Sequence, residues 1–488
     1  MSHTTDWRVV VGLEVHTQLL TASKMFCACP NDYAGAAPNS HCCPVCLGAP
    51  GAMPTVNAEA LRFGIMAALA LDCGVPAFSW FERKNYPYPD LMKGFQLTQF
   101  TYPIGSAGVI EIETSAGRKP FRINRVHLEE DTAKSTHLIG PGGDAYSLVD
   151  CNRSGVPLME IVSEPDGRSA EEAVAYLRKL RDILVFLGIA SGRLEDGAMR
   201  LEANVSVRTP EEEAAGVLRT RCEIKNLNSF DSVLHAVEYE VRRHIRVYER
   251  GDKVAQVTMG WDVDAGRTVV QRSKEEAQDY RYFPEPDLPP LRFSTAEVDA
   301  VRAELPELRH EIIDRYQTAL GLDAYRADLL AQSRAFAAYF EAALAQFNQP
   351  ERLANVLLGD FAAQVNDRGL DLETCADLPP AETIAELARQ WDTGDITGPQ
   401  YKQLIVHLFE HDVTVDAAKQ ALGIEKTDTS ALAAFVDQAL AANPDAVEKI
   451  RAGQAKVIGF LVGQVMKLSR GQADPKAVEA LLAERLGD

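Results

Sequence analysis

The spacing of hydrophobic and polar residues changes near residue 293. Before that point apolar residues come in short runs, and across Met199–Arg208 apolar and polar residues alternate at every position. An alternation with a period of two buries one face of a β-strand and leaves the other face polar. Beyond Phe293 apolar residues recur with helical spacing as far as Leu486. The pattern predicts an α+β chain with a β-rich first domain and an all-α remainder.

Capping and helix-breaking residues mark the ends of several elements. Ser169 and Glu172 form the pattern of a capping box, and Gly188 can end the helix that they begin. Residues 284–290 are rich in proline and break any regular element. The predicted domains are residues 1–293, 294–422 and 423–488.

The composition is that of an ordinary globular protein, because 46% of the 488 residues are hydrophobic and 25% are charged. The chain has no run of about 18 apolar residues and begins without a basic and then apolar leader. We therefore expect no membrane span and a cytoplasmic location. The net charge of −20 argues against a general nucleic-acid coat, but it leaves room for a local basic surface.

Five of the nine cysteines crowd into residues 27–46. Cys27 and Cys29 form one close pair, and Cys43 and Cys46 form a second pair with the two-residue gap usual for zinc. Cys42 leaves the register open, because it is an alternative to Cys43. Four thiolates fill a tetrahedral site, so the predicted zinc is structural. The competing interpretation is a group of reduced cysteines without a metal.

Two short segments pair histidine with glutamate at strand spacing. Glu14 and His16 project to the same face if the valine-rich run before them continues as a strand. His127 and Glu129 have the same spacing, and Glu130 follows directly. Clustered carboxylates repel one another unless a cation neutralises them, and Mg²⁺ prefers oxygen ligands. Taken alone, the first segment is more typical of a solvated strand face, and the second is explained as well by a solvated acidic turn.

Further polar positions suggest a charged cavity, although solvated strand faces and turns explain them as well. Glu223 and Lys225 share one strand face, and Glu202 lies on the polar side of the alternating strand. Lys84 and Tyr86 stand in a loop that two Tyr-Pro pairs stiffen. Such a loop can hold a phosphate, stack on a base or simply pack. Arg153 belongs to a polar turn between two apolar runs.

The C-terminal part has a charge balance opposite to that of the whole chain. Residues 444–476 contain six basic residues and three acidic ones, inside a chain of net charge −20. A locally positive helical surface can contact the phosphates of a folded RNA, although a solvated helix face has a similar composition. The candidate residues are Lys449, Arg451, Lys456, Lys467 and Arg470.

Several common catalytic signatures are absent from the sequence. Glycine is nowhere followed by lysine, so there is no phosphate-binding loop of the Walker type. The set of protein-kinase motifs is also missing, and so are the serine-rich glycine loop of an amidase and a nucleophilic cysteine with a matched histidine. A protein of this sequence that uses ATP does so with an uncommon fold, and if it uses ammonia, another protein must make it.

Taken together, the polar segments resemble the GatB/GatE family, whose members belong to tRNA-dependent amidotransferases. The similar segments follow one another in order over essentially the whole chain. Archaeal GatE proteins carry a large inserted domain for which this chain has no room, so the GatB type is the better match. The segments are residues 12–16, 83–86, 127–131, 150–160, 163–166, 223–230, 279–287 and 459–467.

The resemblance implies a β-rich cradle domain, a helical domain and a small all-α tail related to YqeY proteins that contacts tRNA. It implies ATP-dependent phosphorylation of the side-chain carboxylate of Glu-tRNA(Gln) or Asp-tRNA(Asn), followed by displacement of phosphate by ammonia. The implied catalytic residues are Glu14, His16, Glu129, Glu130, Lys84 and Lys225. The first four are also implied magnesium ligands. The implied contacts to nucleotide or acyl group are Lys84, Tyr86, Arg153, Glu202 and Glu223.

The family also implies partners, namely a GatA-like amidase that frees ammonia from glutamine and a small GatC-like protein. ATP, Mg²⁺ and structural Zn²⁺ are the implied cofactors. Two other interpretations stay open at this point: a non-catalytic scaffold that binds tRNA, and an ammonia ligase that acts on a small molecule.

Overall fold

The fold is described from a computed structural model that divides into two compact units, residues 1–306 and residues 307–488. Each unit is described by itself. The predicted domain boundaries at 293/294 and 422/423 stay predictions. The structure describes residues 6–273, 279–372, 374–424, 429–451, 457–469, 473 and 475–486.

The strands of the described residues all belong to the first unit. They are β1 (Arg8–Gln18), β2 (Phe78–Ser79), β3 (Glu82–Asn85), β4 (Phe95–Thr98), β5 (Gly105–Thr114), β6 (Gly117–Glu130), β7 (Lys134–Ile139), β8 (Ala145–Asp150), β9 (Pro157–Ser163), β10 (Met199–Arg208), β11 (Cys222–Leu227), β12 (Val257–Asp262), β13 (Arg267–Ser273), β14 (Phe283–Pro284) and β15 (Leu291–Arg292).

Helices are few in the first unit and make up the regular structure of the second. The first unit contains α1 (Ala58–Ala70), α2 (Ala170–Phe186), α3 (Pro210–Ala214), α4 (Phe230–Glu249) and α5 (Thr295–Ala303). The second unit contains α6 (Arg309–Leu320), α7 (Ala324–Leu330), α8 (Arg334–Gln346), α9 (Pro350–Val356), α10 (Ala362–Arg368), α11 (Ala381–Asp392), α12 (Gly398–Glu410), α13 (Val415–Ala421), α14 (Thr429–Ala442), α15 (Pro444–Arg451), α16 (Ile458–Leu468) and α17 (Pro475–Leu486). The predicted α+β class is confirmed.

One large sheet dominates the first unit. Its strands follow the order β13-β12-β11-β10-β1-β9-β6-β4-β3-β14, and β5 pairs with β6 beside this path. The pairing is antiparallel except between β11 and β12, which are parallel. Strand β1 lies between β10 and β9, so its polar side chains are flanked by those of two neighbours.

The alternation of β1 shows how the sheet separates its two faces. Val11, Leu13 and Val15 are wholly buried or nearly so, while Glu14 and His16 point to the other face and are partly exposed. Successive side chains of a strand project to opposite faces, so a valine-rich strand can bury one side and present charges on the other. The alternation predicted for Met199–Arg208 is also present, as strand β10.

Helix α2 begins at Ala170, as the sequence predicts. The side chain of Ser169 accepts a hydrogen bond from the backbone N–H of Glu172. The Glu172 carboxylate instead accepts from the backbone N–H of Arg168 at 2.7 Å, so only half of the predicted capping box forms. Gly188 has a φ of +71° directly after the helix, a conformation that glycine adopts readily.

Helix α4 carries a buried polar group that contacts β13, the terminal strand of the sheet. Glu240 is wholly buried and accepts hydrogen bonds from Arg243 at 2.7 and 2.9 Å and from Thr268 at 2.6 Å. His244 lies 3.2 Å from the same carboxylate. Burial would raise the pKa of Glu240, but His244, Arg243 and Thr268 outweigh burial and lower it to about 2.

We expect the substitution Glu240→Gln to lower the free energy of unfolding by about 3 kcal/mol at neutral pH. A carboxylate with a depressed pKa stabilises the fold above its unfolded pKa, and this stabilisation is lost as pH falls toward the folded value. The difference between wild type and variant should therefore shrink between pH 4.5 and pH 3. Urea unfolding, followed by tryptophan fluorescence, measures the free energy of unfolding of both proteins at each pH.

Glu238→Gln, an exposed position of the same helix, is the matched control. An equal loss in both variants would contradict the expectation.

The second unit contains a separate apolar core near its C-terminal end. Leu432 and Val436 of α14, Leu461 and Val465 of α16, and Leu482 of α17 are all buried in one cluster. This cluster supports the predicted small tail domain. Within the described ranges, no helix of either unit combines the length and the apolar character that crossing a membrane requires.

Candidate functional site

The polar face of the sheet gathers charged side chains at three adjacent strands. In the strand register His16 of β1 lies opposite Glu160 of β9, and Glu160 lies opposite His127 of β6. Glu14 and Glu129 are each two residues away from one of these histidines, on the same face. We call these five residues, Glu14, His16, His127, Glu129 and Glu160, the Glu160 cluster.

Glu160 lies at the centre of this cluster. Its Oε2 atom lies 3.3 Å from Nε2 of His16 and 3.1 Å from Nε2 of His127. The two oxygens of Glu129 lie 3.6 Å from Nε2 of His16 and 3.6 Å from Nε2 of His127. The Oε1 atom of Glu14 lies 3.9 Å from Nε2 of His16. The cluster contains two overlapping groups that could hold a metal ion, and both include Glu160. They are Glu14, His16 and Glu160, and His127, Glu129 and Glu160.

Mutual contacts move the pKa values of the cluster. Burial would lower the pKa of His16, but Glu160 outweighs burial and raises it to about 9. Burial would also lower the pKa of His127, but Glu160 and Glu129 outweigh burial and raise it to about 9. Burial would raise the pKa of Glu160, but the contacts with His127 and His16 outweigh burial and hold it well below the usual value. Burial, and then the charge of Glu160, raise the pKa of Glu14 to about 7.

The donor set of the Glu160 cluster fits a divalent cation. Carboxylate oxygens are the protein ligands that Mg²⁺ prefers, and imidazoles widen the choice to transition metals. A cation would displace the protons that the imidazoles otherwise hold, so metal binding should release protons. The structure brings together three of the predicted ligands, Glu14, His16 and Glu129. Their role as ligands stays a prediction.

The structure does not place Glu130 with these residues, contrary to the prediction. Glu130 forms an ion pair with Lys93, and its carboxylate accepts a hydrogen bond from the backbone N–H of Leu97 at 3.1 Å. The reason is strand geometry. Strand β6 continues through Glu130, so Glu129 and Glu130 project to opposite faces of the sheet.

Sequence reasoning missed Glu160 and did not assign His127 a role. Glu160 stands in an apolar strand, where Met159 and Ile161 on either side are wholly buried. A charged residue that interrupts such a run is itself a signal, because an unpaired buried carboxylate is costly. The partners that compensate it lie on β1 and β6, far away along the chain, so the sequence offered no direct view of the cluster.

A second charged group lies on the neighbouring strands β10 and β11. Nζ of Lys225 lies 2.6 Å from Oε2 of Glu202 and 3.3 Å from Oε1 of Glu223. Burial would lower the pKa of Lys225, but the two carboxylates outweigh burial and raise it. Lys225 therefore remains a cation and cannot act as a base near neutral pH. Glu202 lies opposite Glu14 in the strand register, so this group adjoins the Glu160 cluster.

Lys84 approaches the Glu160 cluster from strand β3. Burial would lower the pKa of Lys84, but Glu129 and other nearby groups outweigh burial and raise it. Nζ of Lys84 lies 5.1 Å from the ring centre of Tyr280 and 5.8 Å from that of Tyr86. The hydroxyl of Tyr86 donates a hydrogen bond to Gln96 at 3.1 Å. Lys84 is thus a cation beside two aromatic rings, and the charge of Glu129 raises its pKa.

The side chain of Arg153 holds the backbone after β6 in place through hydrogen bonds. Its guanidinium donates hydrogen bonds to the backbone carbonyls of Thr132 at 2.9 Å and Ala133 at 2.8 Å. Its Nε atom also lies 3.7 Å from the buried carboxylate of Asp131, which Arg200 contacts at 2.5 Å. These contacts fix the chain directly after β6. The predicted contact of Arg153 with a phosphate or acyl group stays a prediction.

A polar cavity of about 520 Å³ opens beside Glu14. Its lining combines strand residues with the segment before β11, and it includes Asn124, Arg125, Asn204, Ser206, Arg219, Arg221 and Gln256. A cavity of this volume suits a nucleotide or another small molecule, which proteins usually bind in clefts of roughly 300–1,000 Å³.

Comparison with known protein families decides the family of the chain. The family model "GatB/GatE catalytic domain" matches residues 9–299, and the model "GatB domain" matches residues 338–486. The chain belongs to the GatB/GatE family. The family predicted from the polar motifs is thereby confirmed.

Curated relatives cover the whole chain. The GatB subunit of the aspartyl/glutamyl-tRNA(Asn/Gln) amidotransferase of Moorella thermoacetica is 46% identical over 482 residues, which span 99% of this chain and 100% of the relative. Proteins of the same name from Anaeromyxobacter sp. (strain K) and Myxococcus xanthus are 47% and 45% identical, over 99% of this chain and 99% of each relative.

The cysteines of this GatB/GatE family member converge as the sequence predicts. The Sγ atoms of Cys27, Cys29, Cys43 and Cys46 all lie within 4.8 Å of one another. Cys42 is not part of this group, because its thiol donates to the backbone carbonyl three residues earlier at 3.0 Å. The geometry favours Cys43 over Cys42 as the fourth ligand. Four thiols at this spacing fit a tetrahedral zinc ion.

A buried lysine supports a metal-bound state of these cysteines. Lys24 is wholly buried, and its ammonium group donates to the backbone carbonyls of His41 and Ser154, each at 2.7 Å. It lies 3.9 Å from Sγ of Cys46. A buried cation needs a nearby anion, which a set of metal-bound thiolates supplies. A hydrogen bond from Cys27, with further contacts, outweighs burial and lowers the pKa of Cys46 to about 5.

The predicted tRNA-contacting residues of the tail are only partly described. Lys449 of α15 and Lys467 of α16 are exposed. Lys456 and Arg470 lie outside the described residues, and so does the side chain of Arg451. The contact of these five residues with tRNA stays a prediction.

Proposed function

We propose that this chain is the GatB subunit of a glutamine-dependent tRNA amidotransferase. In this proposal its sheet activates the side-chain carboxylate of Glu-tRNA(Gln), Asp-tRNA(Asn) or both, with ATP as the phosphoryl donor. The observation that carries the proposal is the convergence of two histidines and three glutamates from three strands, in a chain similar over its full length to GatB subunits of amidotransferases. A purely architectural tRNA scaffold has no need of this cluster.

The chemistry overcomes the poor reactivity of a carboxylate. One carboxylate oxygen attacks the γ-phosphorus of ATP, the bond from that phosphorus to the β–γ bridging oxygen breaks, and ADP leaves. The resulting acyl phosphate has a competent leaving group. Ammonia then attacks the acyl carbon, inorganic phosphate departs with the electron pair of the broken C–O bond, and the nitrogen loses a proton. The products are the side-chain amide, ADP and phosphate.

The acidic and the basic residues of the sheet would have different roles in this reaction. The Glu160 cluster would hold Mg²⁺, which neutralises the charge that develops on the phosphates during transfer. Lys84 and Lys225, whose pKa values are raised, remain cations that can contact anionic oxygens. The polar cavity beside Glu14 would take the nucleotide, because it joins the cluster and has a suitable volume.

The remaining parts would serve assembly and substrate binding. The four-cysteine group would hold a structural zinc ion beside the turn that precedes β9, where the hydroxyl of Ser154 donates to the backbone carbonyl of Cys46 at 3.0 Å. A GatA-like amidase would supply ammonia, since the sequence shows no ammonia-producing site of its own, and a GatC-like protein would complete the complex. The C-terminal tail would contact the tRNA through its basic residues.

The test is a reconstitution with a GatA-like amidase and a GatC-like protein, supplied with glutamine, ATP, Mg²⁺ and Glu-tRNA(Gln). We expect Glu14→Gln to lower both ADP release and amide formation by about 10²-fold or more, with the complex still assembled. The exposed Glu111→Gln is the control and should leave both rates unchanged. Normal rates in Glu14→Gln would favour the scaffold interpretation.

A further inference from the structure

Three consecutive carboxylates are buried where strand β6 ends. Glu129, Glu130 and Asp131 are 2%, 2% and 3% exposed. Glu129 belongs to the Glu160 cluster, Asp131 pairs with an arginine of β10, and Glu130 forms an ion pair with Lys93 on the other face of the sheet. A buried carboxylate is costly without such a partner. Because neighbouring residues of a strand point to opposite faces, the partner of Glu130 also fixes the direction in which Glu129 points.

The ion pair of Lys93 and Glu130 also joins β6 to the neighbouring strand β4. Its two side chains are 11% and 3% exposed. The Glu130 oxygen that contacts Lys93 also accepts a hydrogen bond from the backbone N–H of Leu97 at 3.1 Å. The register between β4 and β6 is short and places Thr98 opposite Glu129. The contacts of Glu130 therefore reinforce the strand pairing at the position of Glu129.

Lys93 packs directly against residues 42–52, which we call the cysteine loop. Gly48 of this loop follows Cys46 by two residues and has a φ of +67°. A Cβ atom at Gly48 would lie 2.5 Å from Cγ of Lys93 and 3.0 Å from its Cα, a distance that no larger residue tolerates without a shift. Lys93 therefore connects the cysteine loop with Glu130 and the end of β6.

Stability alone does not explain a buried ion pair at this place. Well-packed apolar residues often stabilise a fold as well, because the desolvation of two charges offsets most of their attraction. A charge pair with an additional hydrogen bond instead fixes one geometry. Here that geometry is the side-chain direction at the end of a strand whose preceding residue belongs to the candidate metal site.

We propose that Lys93 and Glu130 are positioning residues, which connect the cysteine loop to Glu129 and hold the Glu129 carboxylate in the Glu160 cluster. Neither residue touches the reacting groups, because both act from behind the sheet. The inference gives a role to Glu130, which strand geometry removes from the predicted metal ligands. It rests on the proposed function, because the position of Glu129 matters to the reaction through the cation that the cluster would hold.

The experiment measures Mn²⁺ affinity without nucleotide, and ADP release, in the reconstituted complex. Glu130→Gln and Lys93→Met remove the two charges and nearly keep the side-chain sizes. We expect each variant to bind Mn²⁺ about tenfold more weakly and to release ADP at least about tenfold more slowly, as for residues that orient metal ligands. The double variant should lose no more than either single variant, because both changes break the same contact. Zinc content and tRNA affinity should match the wild type.

Glu285→Gln separates positioning from a general loss of stability. Glu285 is 4% exposed, accepts hydrogen bonds from Arg83 at 2.7 and 2.9 Å, and lines the same cavity as Lys93. It follows β14, and β3 and β4 lie between that strand and β6. We expect Glu285→Gln to lower the unfolding temperature comparably to Glu130→Gln but to leave Mn²⁺ affinity and ADP release unchanged.

Two glycines test whether the cysteine loop acts through Lys93. Gly48 and Gly51 have φ values of +67° and +82°, so alanine strains the backbone at either position. An added Cβ meets Lys93 at Gly48, whereas at Gly51 it meets no atom of the described residues within 4 Å. We expect Gly48→Ala to weaken Mn²⁺ binding at least about fivefold and Gly51→Ala to leave it unchanged.

Three results would overturn the inference. They are an unchanged Mn²⁺ affinity in Glu130→Gln, equal losses of Mn²⁺ affinity in Glu130→Gln and Glu285→Gln, and additive losses in the double variant. Equal effects of Gly48→Ala and Gly51→Ala would remove the connection to the cysteine loop. Failure of the proposed function looks different, because Glu160→Gln would then also leave Mn²⁺ affinity and ADP release unchanged. A complex that responds to Glu160→Gln but not to Glu130→Gln loses only the positioning role.

Discussion

Replacing Glu160 by glutamine is expected to lower ATP-dependent amide formation by about 10²- to 10³-fold. One oxygen of Glu160 contacts both histidines, and Glu160 belongs to both groups that could hold a metal ion. Glutamine has nearly the same shape but lacks the negative charge that attracts the cation and balances the imidazoles. The loss should therefore appear in metal binding as well as in catalysis.

Titration with Mn²⁺ in place of Mg²⁺ measures the first effect, because paramagnetic Mn²⁺ can be followed directly. We expect at least about tenfold weaker Mn²⁺ binding in Glu160→Gln, in line with the contribution of individual ligand-sphere residues. Glu113→Gln is the matched control, since Glu113 is exposed on β5 and lies opposite Arg118 of β6, nine residues along that strand from His127. Unchanged Mn²⁺ affinity together with normal amide formation in Glu160→Gln would show that the cluster is not the metal site.

Replacing Cys46 by serine is expected to remove zinc from the purified protein, from about one ion per chain to almost none. Serine keeps the size of the side chain but cannot supply a thiolate. Cys46 is buried and lies beside Lys24, so it is the cysteine whose loss leaves a buried cation without its anion. We also expect a lower unfolding temperature, because a structural zinc site contributes directly to folding.

Cys42→Ser provides the matched control for this prediction. Cys42 is adjacent to Cys43 in sequence, yet its thiol lies outside the converging group. Elemental analysis of the two variants should find zinc in Cys42→Ser and not in Cys46→Ser. Loss of zinc from both variants would show that the register of the site is wrong, and the absence of zinc from the wild type would remove the site altogether.

Local patterns allowed the sequence to predict the elements that depend on neighbours in the chain. The alternation across Met199–Arg208 is strand β10, and the side chain of Ser169 caps the helix that begins at Ala170. The spacing of the cysteines anticipated their convergence, because both pairs lie close together in sequence. In each of these cases the deciding contacts link residues that are near one another along the chain.

The candidate site depends on contacts that the sequence does not show. Glu160 meets His16 across 144 positions of the chain only because β9 pairs with β1. Glu130 was grouped with Glu129 on composition, whereas the continuation of β6 turns the two side chains to opposite faces. A polar residue in a turn can also serve the turn itself, as Arg153 does through its bonds to backbone carbonyls.

The measurement that tests the central claim most directly is the trapping of the acyl phosphate. The reconstituted complex is given ATP, Mg²⁺ and Glu-tRNA(Gln) without glutamine or ammonia, and hydroxylamine is added to convert an acyl phosphate into a hydroxamate. The proposed function predicts in the wild type a hydroxamate at the side-chain carboxyl of the glutamate, which requires ATP and is lost in Glu160→Gln. Hydroxylamine also cleaves the ester to the tRNA, but that reaction marks the α-carboxyl and needs no ATP. Equal hydroxamate formation by Glu160→Gln, or by the partner proteins without this chain, would contradict it.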